Sequence, residues 1–103
     1  MKDKTYHDFV VYDLFSRLSD VTSRPMMSGW CLYLNKVPFA AIIGNQLYLK
    51  AKGEKAEYLK SLGWQQFSYE KSKGKVVKMS YWLVPDELMD DAEGLVEVVG
   101  DVS

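Results

Sequence analysis

"WCLYLNKVPFAAIIGNQLYLK", residues 30–50, decides the architecture. Trp30, Leu32 and Leu34 alternate with Cys31, Tyr33 and Asn35. A period of two belongs to a strand with one face turned to a core. Asn35-Lys36 interrupts the run, and because Asn tolerates positive φ it predicts a tight reversal. Val37, Phe39, Ala41 and Ile43 then continue on one face, and Gly44-Asn45 makes a second turn. Leu47 and Leu49 follow, alternating with Tyr48 and Lys50. Pro38 cannot donate to a ladder, so it marks a strand start or an edge. Strands joined by such short turns predict an antiparallel meander over residues 22–51, with a very short extra strand around Thr22 to Met26.

Working outward, residues 54–62 suit a short helix, with Ala56, Leu59 and Leu62 at spacings of three and Gly63 as its stop. Residues 65–70 and 75–83 read as a second hairpin tipped by "KSKG". Val77, Met79, Tyr81 and Leu83 alternate there with Val76, Lys78, Ser80 and Trp82. Pro85 opens a helix over residues 85–99, with Asp86 and Glu87 at its positive end and Gly94 as its break. At the other terminus Tyr6, Phe9, Val10, Leu14 and Leu18 form one apolar stripe of a helix over residues 5–19, widened by Val11 and Phe15. Asp3 and Thr5 are its candidate N-caps. The order α-β-β-β-α-β-β-α makes one α+β domain over residues 1–103. Its two layers are a mostly antiparallel sheet of about five strands and helices on one face. Trp30, Phe39 and Tyr81 are the expected core rings, while Tyr48 and Trp82 are expected on the uncovered face.

At 103 residues the chain buries roughly 65% of its unfolded surface, enough for one core. No apolar run is long enough for a membrane span, and the charged start "MKDKTYHDF" is no secretory signal. Cys31 is the one cysteine and cannot form an internal disulfide, consistent with a reducing cytoplasm. The net charge of −1 conceals a segregation. Eight lysines lie between residues 50 and 78, and seven acids with no base lie from residue 86 onward. That division predicts a basic and an acidic face.

Arg24, Met26, Gly29, Leu32 and Tyr33 stand in the register of a known pattern. So do "PFAAII" (38–43), "LYLK" (47–50), "FSYE" (67–70), "MSYW" (79–82) and Pro85. In order and spacing the chain resembles the TfoX (Sxy) N-terminal domain family over nearly its whole length. Met27, Ser28 and Cys31 depart from the usual Phe and glycines of the signature. The resemblance implies an α+β domain like those of type III secretion chaperones. It also implies a bacterial regulator of competence genes that works with the cyclic-AMP receptor protein at promoters. A single-domain member without the family's C-terminal helical domain is expected.

No catalytic, cofactor or metal constellation is expected. One Cys and one His cannot supply a zinc set, and the acids Asp86, Glu87, Asp90 and Asp91 lack the pattern of a calcium loop. No phosphate-binding or nucleophile-elbow glycine motif occurs, so the chain reads as no enzyme. His7 is placed at an exposed helix end, with nothing to join it to Cys31. Gly29 reads as a bend or a close backbone approach. Arg24 carries a planar fork suited to a carboxylate, a phosphate or a tether within the fold. Lys71, Lys73, Lys75 and Lys78 could follow a phosphate backbone, with Tyr69, Tyr81 and Trp82 stacking on bases. The expectation is therefore a cytoplasmic regulatory domain that binds protein, either transcription machinery or a second copy, through its uncovered sheet. A weak nucleic-acid contact through the lysine hairpin is the alternative.

Overall fold

The computed structural model describes residues 4–26 and 29–102. Asp3, Met27 and Ser28 lie outside the described residues. Helix α1 (Lys4–Asp8) runs into a π-helical segment, Phe9–Leu14. Six strands follow: β1 (Val21–Met26), β2 (Gly29–Leu34), β3 (Val37–Ile43), β4 (Gln46–Lys50), β5 (Gln65–Ser72) and β6 (Lys75–Leu83). Helix α2 (Glu54–Ser61) separates β4 from β5, and α3 (Asp86–Met89) and α4 (Ala92–Val102) close the chain. The sheet is antiparallel in the order β1-β2-β3-β4-β6-β5, which makes the fold α+β. The short extra strand is full length, pairing with β2 from Val21↔Leu34 to Met26↔Gly29.

Both meander turns form as their residues predict. Asn35 and Lys36 have φ of 51° and 68°, and Gly44 and Asn45 have φ of 57° and 56°. Two consecutive positive values match the right-handed twist of the flanking strands. Gly29 is the close approach: a Cβ there would lie 1.7 Å from the Ile42 carbonyl oxygen. Helix α2 ends in a Schellman motif. Trp64 N–H donates to Leu59 C=O at 3.1 Å and Gly63 N–H to Lys60 C=O at 3.0 Å, with Gly63 at φ 86°.

One transverse row, Ser23–Leu32–Ala40–Leu49–Trp82–Gln66, crosses all six strands on the helical side. Leu32, Ala40, Leu49 and Trp82 join Val10, Leu14, Phe15, Leu59, Leu95 and Val99 in a single core. Trp30 packs against that core and Phe39 lies within it, its ring 5.2 Å from Phe15.

Several expectations are corrected. Tyr81 is on the opposite face, and Trp82, expected outside, is the buried ring of β6. The alternation of β6 defines two sets of side chains, but only the pairing Leu49↔Trp82 says which one meets the helices. Within β3, Phe39 keeps its place while Ala41 and Ile43 leave the core side. A bulge where Leu32 pairs Ala40 and Tyr33 pairs Pro38 inserts Phe39 as an extra residue and inverts the alternation after it. The first helix stops at Leu14, not residue 19, and its wide π turn, closed by Phe15 N–H to Val10 C=O at 2.9 Å, turns Phe9 outward. The last helix breaks at Asp90–Asp91 instead of Gly94. Asp91 Oδ1 accepts from Gly94 N–H at 3.0 Å, capping α4.

Two substitutions test this packing by urea unfolding. Phe39→Ala removes a ring from a closed core and is expected to cost about 3–5 kcal/mol. Gly29→Ala forces β2 away from β3 and is expected to cost about 3 kcal/mol or more, at or beyond the usual range for overpacking. Near-normal stability of either variant contradicts the assigned register.

Candidate interaction surfaces

The reverse of the sheet has its own transverse row, Arg24–Cys31–Ala41–Tyr48–Leu83–Gln65. None of these residues belongs to the core that the helices join. Ala41 and Tyr48 are nevertheless buried, because large neighbours crowd them. Tyr48 meets Phe67 edge-on at 5.2 Å. This face is therefore a broad apolar layer without a helical roof, with Tyr48 on it as expected.

On this face Cys31 and Tyr33 of β2 meet Tyr81 of β6. Both phenols are hydrogen-bonded with the half-buried Cys31 thiol. That bond is the main reason Tyr33 holds its proton above the ordinary tyrosine range, whereas burial is the main reason for Tyr81. Burial also raises Tyr48 and Tyr6. Arg24, the cross-strand partner of Cys31, places its guanidinium 5.8 Å from the Tyr33 ring centroid, within cation–π range.

The four hairpin lysines occupy a different place. Only residues 81–83 of β6 pair with β4, so Lys75–Met79 has β5 as its one neighbour among the described residues. This end of the hairpin is a two-stranded ribbon. Lys71, Lys73 and Lys75 are exposed around its tip, where Gly74 turns at φ 83°. Exposed Tyr69 and Val76 lie along it. Lys78 sits nearer the sheet, on the same side as Trp82. Trp82 is only 5% exposed and presents no ring for stacking, and Arg24 is at the far edge. The six expected contact residues thus fall in three separate places.

His7 is not at an exposed end. It is buried, its ring centroid 4.2 Å from that of Trp30. Nδ1 lies 2.8 Å from Asp8 Oδ1 and Nε2 2.8 Å from Ser23 Oγ. A carboxylate only accepts, so Nδ1 donates to Asp8 and Nε2 accepts from the Ser23 hydroxyl. The order Asp–His–Ser matches a nucleophilic relay. Packed against Trp30 between helix and sheet, however, the imidazole has the place of a clamp joining α1 to β1. Sequence reasoning missed it because its partner stands sixteen positions away.

A family model describing the TfoX N-terminal domain matches residues 13–101. The chain belongs to that family. No curated protein sequence matches it.

In this TfoX N-terminal domain two clefts flank α2. One, of about 630 Å³, has apolar walls including Leu34, Phe39 and Val102, with Lys50, Lys52 and Lys55 beside them. The other, of about 420 Å³, lies between Ala56 and Lys60 of α2 and Gln66, Lys78 and Trp82 of the sheet, with Trp64 at one end. Trp82 Nε1 is a buried donor with no acceptor among the described residues. Leaving such a group unpaired costs about 1–3 kcal/mol. Among the described residues no cluster of His, Cys, Asp or Glu could hold a metal ion, and no helix is long and apolar enough to cross a membrane.

The raised phenols predict a pH dependence. Folded Tyr6, Tyr48 and Tyr81 hold their protons more tightly than the unfolded chain, whose tyrosines titrate near pH ~10. Their contribution is complete below that pH and is lost as the pH rises through the higher folded values. Urea midpoints should fall as the pH is raised through about 10 and above, with tyrosinate absorbance rising with unfolding. Tyr81→Phe should flatten the dependence.

Proposed function

We propose that this domain is a cytoplasmic, non-enzymatic regulator of competence-type gene expression that acts by binding transcription machinery through the helix-free face of its sheet. The observation that carries the reading is that face itself. Cys31, Ala41, Tyr48 and Leu83 carry an apolar run across β2, β3, β4 and β6, outside the core that the helices join, and apolar sheet surface of this kind marks interaction sites. Membership of the TfoX N-terminal domain family supports the regulatory assignment. Arg24 at the edge supplies a charged rim suited to an acidic partner residue, and the same face would join two copies of the chain in a homodimer.

A second reading is favoured by the ribbon. A basic two-stranded β-ribbon fits the major groove of DNA, and Lys71, Lys73 and Lys75 sit where it would enter.

The test is a titration of the labelled domain with purified cyclic-AMP receptor protein, with RNA polymerase and with duplex DNA, alongside light scattering of the domain alone. Protein binding through the sheet predicts a complex, or a dimer, that Arg24→Glu at the exposed rim of that face weakens at least ten-fold. Replacing Lys71, Lys73, Lys75 and Lys78 with Gln should leave it intact. Ribbon binding predicts the reverse, with affinity for DNA falling against salt at a logarithmic slope of about −3 to −4 for four phosphate contacts. A monomer that binds neither protein, or a complex indifferent to Arg24→Glu, overturns the sheet-face reading.

A further inference from the structure

The larger cleft, of about 630 Å³, is an apolar recess where the β2–β3 turn meets the exit of β4. Asn35 and Lys36, both at positive φ, reverse the backbone and set Val37 and Pro38 on its rim. The bulge that follows turns Phe39 inward, and its buried ring forms part of the floor. The chain leaves β4 through Ala51, whose single methyl fills little of the space between the turn and Val102 of α4. Val37 is 62% exposed, and among the described residues it is the large exposed apolar side chain that lines this recess. The charged groups at its border share one sign. They are Lys50 and Lys52 at the β4 exit and Lys55 in the first turn of α2, and among the described residues no acid lines the recess. Asp101, next to Val102, is engaged elsewhere, accepting from the Tyr58 hydroxyl at 3.4 Å.

An apolar floor bordered only by cations suits a molecule divided in the same way. Exposed ammonium groups are strongly hydrated and hold no anion by themselves. Burial of an apolar chain supplies the attraction, and the border decides the sign of the head group. We propose that this recess binds a free single-chain amphiphile with an anionic head, a medium-chain fatty acid. Its tail lies against Leu34, Val37, Pro38 and Phe39, and its carboxylate stays at the mouth, in water, beside Lys52 and Lys55. The concave shape and volume are those of a small-molecule site. A partner helix, about 10–12 Å across with its side chains, is too broad to enter it. The proposal does not rest on the helix-free face, whose row Arg24–Cys31–Ala41–Tyr48–Leu83 contributes no residue to this lining.

The experiment follows the Val37, Val102 and Leu83 methyl resonances of the isotope-labelled domain. The probes are decanoate and decyltrimethylammonium, both below their micelle concentrations, together with acetate and phosphatidylglycerol vesicles. The expected result is a saturable shift of Val37 and Val102 with decanoate, while Leu83 on the reverse face stays in place. Decyltrimethylammonium should bind at least ten-fold more weakly, and acetate should give no shift. Val37→Glu should weaken decanoate binding at least ten-fold, and Lys52→Gln combined with Lys55→Gln at least five-fold. Lys71→Gln at the ribbon tip should leave it unchanged. All four changes are at exposed positions, so folded spectra are retained. Absence of a saturable shift, equal affinity for the cationic amphiphile, binding indifferent to Val37→Glu, a Leu83 shift as large as that of Val37, or a response to the vesicles alone overturns the proposal.

Discussion

The row Leu32–Ala40–Leu49–Trp82 holds the two layers together. Each member is at most 5% exposed, and the helices all lean on it. None of those helices is long: α1 and α3 span five and four residues, and α4 eleven. Helices this short are marginal in water on their own. They persist because the sheet offers them apolar surface, at about 1.5–3 kcal/mol for each large side chain fully removed from water. The His7 clamp and the Phe15–Phe39 contact tie the first of them to the same layer.

Much of this architecture is legible in the chain because its turns carry their own chemistry. Asn35-Lys36, Gly44-Asn45, Gly63 and Gly74 stand where backbone sign demands them, and strand order along the meander follows from turns too short for anything else. Local pattern fails where a register is set from a distance. Phe39 bulges because β3 must satisfy β2, and nothing in "VPFAAII" announces the extra residue. Tyr81 and Trp82 are equally good rings, and the choice between them rests on Leu49, over thirty residues earlier. The π turn hides in the same way, since its stripe fits an ordinary helix until Phe9 is seen outside.

The candidate contact residues were legible as types and scattered as places. Arg24 pairs with the reverse-face row, Lys71, Lys73 and Lys75 ride the ribbon, and Lys78 and Trp82 flank a cleft on the helical side. Lys60 and Trp64 of that cleft were read only as part of a short helix and its exit. The signal available for Trp64 was its position just beyond Gly63, where a helix exit folds a large apolar residue back on the last turn. The charge segregation along the chain puts lysines on α2 and the β5–β6 hairpin and acids on α3 and α4, but the two sets meet where α4 packs against α2, with the Tyr58 hydroxyl donating to Asp101 at 3.4 Å.

The far half of the β5–β6 hairpin lacks a third strand, and this has a dynamic consequence. A two-stranded ladder in water is marginal, so the limb's hydrogen bonds break and re-form without disturbing the layer beneath Leu49 and Trp82. Its amide protons exchange with solvent ahead of those in β2, β3 and β4, giving the molecule a hierarchy of opening energies. The lysines at its tip ride on a compliant lever that can adjust its angle to whatever it touches, while the rest of the fold keeps time as a rigid base.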